Sequence, residues 1–233
     1  MDATASGLSI IVPVYNEERF IESLLRKVVA AADSSEIIVV DDGSTDQTPT
    51  VLTRLGRELP IRVITHPQNK GKGTAIRSGL ESAKGDVVVI QDADLEYDPE
   101  DYPALLKPLL QRRVSVVYGS RFLGPHHATY FWHRLGNWVI TTLVNVCFNA
   151  SLTDVETGYK AFRKDALKDL DLRASSFEFE VEFTCKILRA GQTIFEVPIS
   201  YYGRTYADGK KITWKDGVTA LLTILRCRLD PRY

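Results

Sequence analysis

Three carboxylates stand at alternate positions, Asp92, Asp94 and Glu96, directly after the apolar run Val87-Val-Val-Ile90. Four successive apolar residues, three of them Val, are too few for a helix and predict a buried strand. That strand delivers the carboxylates to its carboxyl end, where alternate residues loosened from the pleat can turn towards one point. Hard oxygen ligands at this spacing suit Mg²⁺ or Mn²⁺, ions that usually arrive carrying phosphate. A D-x-D tripeptide also ends many strands with no chemistry attached, so its meaning depends on what the rest of the chain brings to the same place.

Three further strand-and-helix units precede it. Leu8–Val14 reads as a strand followed by Asn16, a plausible helix N-cap with Glu17 and Glu18 in the first turn, and by apolar residues at helical spacing from Ile21 to Ala32. Glu36–Val40 is a second strand ending in Asp41-Asp42, and Thr48-Pro49 opens a helix with proline at its first position. Ile61–Thr65 is a third strand, after which Asn69-Lys-Gly-Lys-Gly-Thr74 leads into a helix. This alternation with short connections predicts a parallel, doubly wound α/β sheet, whose ligands bind beyond the carboxyl ends of the strands. All four strands end in polar or charged residues, which predicts one shared site.

The second half continues with a helix capped by Asp98-Pro99, a strand Val114–Tyr118 ending in Gly119-Ser-Arg121, and an uncharged helix at about 132–150. Asn137, Thr141, Asn145 and Asn149 recur every four residues along that helix and form a polar stripe, which argues against a membrane span. It is expected either in the core or at a membrane surface. A helix opening near Phe177, a strand Thr193–Tyr201 placed near a sheet edge by Pro198, and a last helix Asp216–Arg228 complete the chain. Val218, Leu221, Leu222 and Leu225 are expected to face inward there. With no linker, repeat or low-complexity tract, the 233 residues read as one domain.

The net charge of −1 gives no global field for nucleic acid, although residues 201–233 are locally basic. Three widely spaced cysteines predict free thiols, and residues 1–7 lack the character of a signal peptide, so a cytoplasmic location is expected. Gly71-Lys-Gly-Thr74 is not a phosphate loop, because position 66 is His and Gly73 follows the lysine where Ser or Thr is required. The D-x-D strand also resembles haloacid-dehalogenase-type phosphohydrolases. Those carry Thr where Glu96 stands, and their motif usually begins the fold, so a phosphohydrolase stays an outside alternative.

Taken together, Ile11–Glu17, Val39–Asp46, Asn69–Gly73 and Gln91–Asp94 resemble, in order and spacing, the family 2 glycosyltransferases with the GT-A fold. Gly119–Phe122, Asp154–Phe162, Phe177–Glu180 and Val197–Ser200 extend the likeness to the dolichyl-phosphate mannose synthase branch. The resemblance implies a single GT-A domain, with a nucleotide-sugar half (1–98) and an acceptor half (99–233). It implies inverting, metal-dependent transfer of a sugar from GDP-mannose or a UDP-hexose to a polyprenyl phosphate. Pro13, Val14, Tyr15, Glu17 and Asp41 would line the nucleoside. Asp92, Asp94 and Glu96 would hold Mg²⁺ or Mn²⁺, with Ala93 and Lys72 also beside the donor. Arg204 and Lys210 or Lys211, on a loop hinged by Gly203 and Gly209, would neutralise the departing diphosphate.

By the same resemblance Arg121, Arg134 and Asn137 would bind the acceptor phosphate, and the uncharged helix would carry the lipid. An ionised phosphate needs no general base, whereas a hydroxyl acceptor would need one, for which Glu178 or Glu180 are candidates. A family 2 enzyme with a soluble hydroxyl acceptor is the main alternative, and a non-catalytic nucleotide-sugar-binding subunit lies further out. Many relatives continue into transmembrane helices that this chain lacks, so peripheral attachment to the cytoplasmic face of a membrane is expected.

Overall fold

The computed structural model describes residues 7–32, 35–126, 130–204 and 214–230. Its centre is one sheet of seven strands: β1 (Leu8–Val14), β2 (Glu36–Asp41), β3 (Ile61–Thr65), β4 (Val87–Ile90), β5 (Val116–Ser120), β6 (Lys160–Arg163) and β7 (Ile194–Pro198). They lie in the order β3-β2-β1-β4-β6-β5-β7. All pairings are parallel except those of β6, which runs antiparallel between β4 and β5. The mostly parallel, doubly wound sheet is as the sequence predicts, and Pro198 does sit on an edge strand.

The period of two sorts each strand between two cores. Ile10, Val12 and Val14 face the layer containing α1 (Ile21–Ala31), α2 (Thr48–Glu58) and α4 (Tyr102–Leu110), where Leu24, Leu52 and Leu105 are buried. Ile11, Val88 and Ile90 face α3 (Lys72–Ser82) and α6 (Phe179–Arg189), where Ile76, Phe179 and Phe183 close the other side. The remaining helices, α5 (Phe131–Phe148) and α7 (Trp214–Leu229), pack with α6 around a third cluster that includes Ile140, Val144, Cys185 and Ile224. Cys147, Cys185 and Cys227 are free thiols.

Two local expectations are corrected. Asn16 does not cap α1, which begins at Ile21 with Phe20 at its N-cap. Asn16 instead takes a left-handed turn, and its side-chain oxygen accepts the Thr45 backbone N–H at 2.7 Å. Asn tolerates that conformation, and the turn frees Glu17 from the helix to point into the cleft.

On α7, Val218, Leu222 and Leu225 face outward, at 47%, 49% and 46% exposure. Leu221 does pack against the third cluster, and the buried positions are Ala220, Thr223, Ile224 and Cys227. Helical spacing identified a stripe, but not which stripe met the protein.

The facing of α5, left open by the sequence, puts Asn137 and Thr141 of the polar stripe on the protein side together with Ile140 and Val144. Asn137 and Thr141 are buried, and Asn145 bonds both backbone groups of Leu152 at 2.8 Å. Trp132, Leu135, Trp138, Val139 and Val146 are turned out instead. The protein-facing side is thus mixed polar and apolar, while much of the remaining apolar surface faces out. No helix among the described residues is long and apolar enough to cross a membrane.

Candidate active site

The carboxyl ends of β1 to β4 meet at one rim, and their polar residues interlock there. Lys72, at the start of α3, sends Nζ to Asp92 Oδ1 at 2.6 Å and to Glu180 Oε1 at 2.9 Å. Glu180 Oε2 is 2.7 Å from Lys160 Nζ, a fully buried ammonium that also lies 4.4 Å from the Tyr118 ring centre. Both lysines reach Glu180 off the hydrogen-bond axis, so these are ion pairs rather than aligned hydrogen bonds. Burial opposes charge on Lys72, yet Asp92 and Glu180 together raise its pKa. Burial likewise works against charge on Glu180, but the two ammoniums hold its pKa low. This group of two cations and two carboxylates is balanced.

A second group gathers around one arginine. Arg204 places its guanidinium among three carboxylates: Glu17 at 3.0 Å, Asp94 at 2.7 Å and Glu96 at 3.8 Å. Its backbone N–H donates to Glu96 Oε1 at 2.7 Å, and the Tyr201 hydroxyl donates to Glu96 Oε2 at 2.8 Å. Among the described residues this one guanidinium faces all three carboxylates. The pKa of Asp94 is raised by burial and by Glu96, against the pull of Arg204, and that of Asp92 by burial despite Lys72.

The loop entering α3 is fixed from β2. Asp42 accepts the Lys70 and Gly71 backbone N–H groups at 3.0 and 2.7 Å, and His66 Nδ1 lies 2.6 Å from the same carboxylate. His66 Nε2 meets Ser78 Oγ at 2.9 Å, tying the loop to α3. Gly71 has φ of +92°, and a side chain there would collide with the Ser175 backbone. Asp41 is buried beside this loop, with Ser44 N–H on Oδ1 at 3.0 Å. Pro13, Val14 and Ala93 are buried at the same rim, and Tyr15 is part-exposed.

The other side of the rim is built from the connection between β5 and β6. Arg121, just past β5, donates from Nε and Nη2 to the two oxygens of Asp154, each at 2.7 Å, in a bidentate pair. Asn137 Nδ2 joins the same carboxylate at 3.1 Å. Arg134 does not contact Asp154, but its guanidinium and that of Arg121 both lie 5.8 Å from the Phe122 ring. The three predicted residues therefore share one corner, two of them through an aspartate to which sequence reading gave no role. Asp154 is itself held by its backbone, since Glu196 on β7 accepts the Thr153 and Asp154 N–H groups.

Residues 154–160 join the two sides. Thr157 Oγ1 donates to Gly119 O at 2.7 Å, and Gly158 N–H donates to the Tyr97 hydroxyl at 3.0 Å. A methyl group on Gly158 would overlap Asp92 Oδ2 and stand 2.9 Å from Cγ, so only glycine lets this backbone approach the D-x-D carboxylate.

Both predicted bases have partners within the protein. Glu178 accepts the Ser175 and Ser176 N–H groups, and Glu180 is clamped between two lysines. Glu96 is turned to Tyr201 and Arg204, and no group of three His, Cys, Asp or Glu side chains among the described residues is disposed to hold a metal. Lys210, Lys211 and Gly209 lie outside the described residues. Sequence reading missed Asp42, His66, Asp154, Gly158 and Lys160. The last three were in plain view in one motif, but nothing in their spacing says which side chain turns to which neighbour.

Comparisons with known proteins agree with this architecture. The sequence matches the description "Glycosyl transferase family 2" over residues 9–171. An undecaprenyl-phosphate mannosyltransferase of Micrococcus luteus is 32% identical over 211 residues, covering 86% of this chain and 85% of that one. A low-salt glycan biosynthesis hexosyltransferase of Haloferax volcanii is 31% identical over 206 residues, covering 86% of this chain. The chain spans 49% of the length of that relative. Among solved structures, glucosyl-3-phosphoglycerate synthase from Mycobacterium tuberculosis superposes with a TM-score of 0.78 at 22% identity, covering 96% of this chain and 80% of that one. The same synthase has been solved with Mn²⁺ and uridine diphosphate. The matched region includes the D-x-D strand, its three preceding βα units and the segment that closes the rim; the chain belongs to the family 2 glycosyltransferases.

Proposed function

We propose that this enzyme transfers a sugar from a nucleoside diphosphate sugar to a polyprenyl phosphate, with inversion, at the face of a membrane. The observation that carries the proposal is the placement of Arg121 and Arg134 at the foot of α5, beside its outward-facing apolar side chains. An anion site beside an outward-facing row of Trp and aliphatic side chains complements a ligand with a phosphate head and an apolar tail. Trp132 and Trp138 are 76% and 61% exposed, and indole rings favour the membrane–water interface. The outward Val218, Leu222 and Leu225 of α7, which packs beside α5, extend the same surface. Names of relatives support the acceptor class, since the Micrococcus protein is a mannosyltransferase to undecaprenyl phosphate.

On the donor side Pro13, Val14, Tyr15, Glu17 and Asp41 would line the nucleoside, where a carboxylate can accept from a base N–H or a ribose hydroxyl. Lys72 and Arg204 would turn part of their charge from Asp92 and Asp94 to the diphosphate as it leaves. Asp92, Asp94 and Glu96 offer the hard carboxylate oxygens that a divalent cation takes, and would hold one on turning from Lys72, Arg204 and Tyr201. Bound there, Mg²⁺ or Mn²⁺ would supply neutralisation of the diphosphate, as the synthase solved with Mn²⁺ and uridine diphosphate suggests. Arg121, rigid on Asp154, keeps Nη1 uncommitted among the described residues, and Arg134 is exposed beside it, so both can turn to an acceptor phosphate.

The test is sugar transfer from a labelled panel of GDP- and UDP-sugars to a short, detergent-soluble polyprenyl phosphate with Mn²⁺ or Mg²⁺. A metal-dependent glycolipid whose formation falls roughly 10³-fold in Asp94→Asn is the expected result. Consumption of donor only with a hydroxyl acceptor would overturn the lipid-phosphate reading, and phosphate release without any nucleotide would point to a hydrolase.

A further inference from the structure

The segment that follows β7 spends its polar groups on the carboxylates proposed to hold a cation. Asp94 Oδ2 accepts from Arg204 Nη2 at 2.7 Å, while its Oδ1 accepts the Glu96 backbone N–H at 3.2 Å. Glu96 gives both oxygens to the same segment, Oε1 to the Arg204 N–H at 2.7 Å and Oε2 to the Tyr201 hydroxyl at 2.8 Å. The Tyr202 N–H donates to the Glu96 carbonyl at 3.0 Å, which joins the two stretches of backbone. Asp92 has Oδ1 on Lys72 at 2.6 Å and Oδ2 packed against Gly158.

Arg204 is held from a second direction as well. Its Nη1 and Nη2 reach the two oxygens of Glu17 at 3.0 and 3.3 Å, and its guanidinium carbon lies 5.5 Å from the Phe20 ring centre. One guanidinium thus ties the turn after β1 to the turn after β4. The fit is incomplete, because Arg204 Nε is buried with no hydrogen-bond partner among the described residues and stands 3.8 Å from Glu96 Oε1. A buried donor left unbonded is costly. A diphosphate, whose oxygens match the guanidinium fork, offers that donor a partner and competes with Asp94 for the same group.

We infer that Arg204 guards the cation site, so that the protein alone holds a divalent ion weakly and holds it well only with a nucleoside diphosphate that draws the guanidinium away. This rests on the reading of the protein as a metal-dependent glycosyltransferase. Two effects act in the same direction. Asp94 Oδ2 and both Glu96 oxygens must exchange protein donors before they can serve as ligands, and a guanidinium beside them repels a dication through a medium of low dielectric. A diphosphate relieves both. By linkage, whatever the diphosphate adds to the affinity for the ion, the ion adds to the affinity for the diphosphate. Metal and donor are therefore taken up together, and the ion is not retained once the nucleotide has gone.

The test is Mn²⁺ binding to the protein without nucleotide, read from the electron paramagnetic resonance signal of the free ion. Arg204→Gln is expected to bind Mn²⁺ about 10-fold more tightly than wild type, the opposite of what loss of a merely structural contact would do. Adding Asp94→Asn to that variant should abolish the gain, which identifies the site. Tyr201→Phe, which frees only Glu96 Oε2, should shift affinity the same way by about 3-fold. No gain in either single variant, or a gain that survives Asp94→Asn, would overturn the inference. Wild type titrated with saturating GDP or UDP, corrected for ion held by the nucleotide alone, separates this outcome from failure of the reading beneath it. Uptake there without any gain in the variants rejects the guard and leaves the metal-dependent reading standing. No uptake with either nucleotide rejects both.

Discussion

The two sides of the rim solve opposite problems. On the proposed donor side, side chains that follow β1, β2 and β4 or belong to α3 and α6 are engaged with one another and with Arg204, lysine and arginine standing against the carboxylates that would meet a cation. On the proposed acceptor side, Arg121 is locked but Arg134 is exposed, and a face of α5 presents indole rings to the surroundings. Binding a donor therefore means exchanging partners already present, whereas binding an acceptor means filling contacts left open. The first kind of site resists disorder while empty; the second displays what it is for.

The largest expected effect tests how closely the donor side is fitted. Gly158→Ala should lower turnover about 100-fold, because its methyl group displaces the Asp92 carboxylate and small misplacements at a reacting centre cost that much. Single-turnover kinetics at saturating donor would read it, and turnover near wild type would show that the donor side is less tightly set than its contacts suggest. Next, Trp132→Ser with Trp138→Ser should weaken binding to anionic vesicles by about 10-fold or more, through lost apolar burial. Its melting temperature should stay unchanged, since both rings are exposed. A lowered melting temperature with undiminished sedimentation on vesicles would mean that these rings serve the fold. The smallest effect belongs to Arg134→Gln, which should raise the acceptor KM about 5-fold with kcat preserved, the loss of a solvent-screened charge contact being about 1 kcal/mol. A large fall in kcat would place Arg134 in the chemistry and erase the contrast with Arg121.

Legibility in the sequence follows the same division. The strands of the first half could be read because each is a short β-branched run punctuated by turn residues, and their polar ends had to gather wherever a parallel sheet gathers its carboxyl ends. Partners could not be read. That Lys72 spans Asp92 and Glu180, or that Arg121 rests on Asp154, depends on rotamers and on elements far apart in the chain. The orientations of α5 and α7 were misjudged or left open for a different reason. Periodicity finds a stripe but presumes that apolar faces inward, and on both helices much of the apolar surface faces out. Asn16 misled because the same residue type serves both helix caps and left-handed turns, and only the Ser44 and Thr45 contacts decide between them.

The reversed strand β6 bears on how enzymes of this architecture diversify. Because it runs against β4 and β5, its first residue, Lys160, sits at the catalytic rim beside Tyr118. The chain thus leaves the rim after Ser120, makes α5, and returns to the rim at Lys160 as one closed excursion. Both ends of that excursion are anchored in neighbouring strands, so its content can be exchanged as a cassette while the strands that hold Asp41, Asp92 and Asp94 keep their register. A graft of residues 121–159 would carry Arg121, Arg134, Asn137 and Asp154 as one unit, with Gly158 kept to preserve the fit against Asp92.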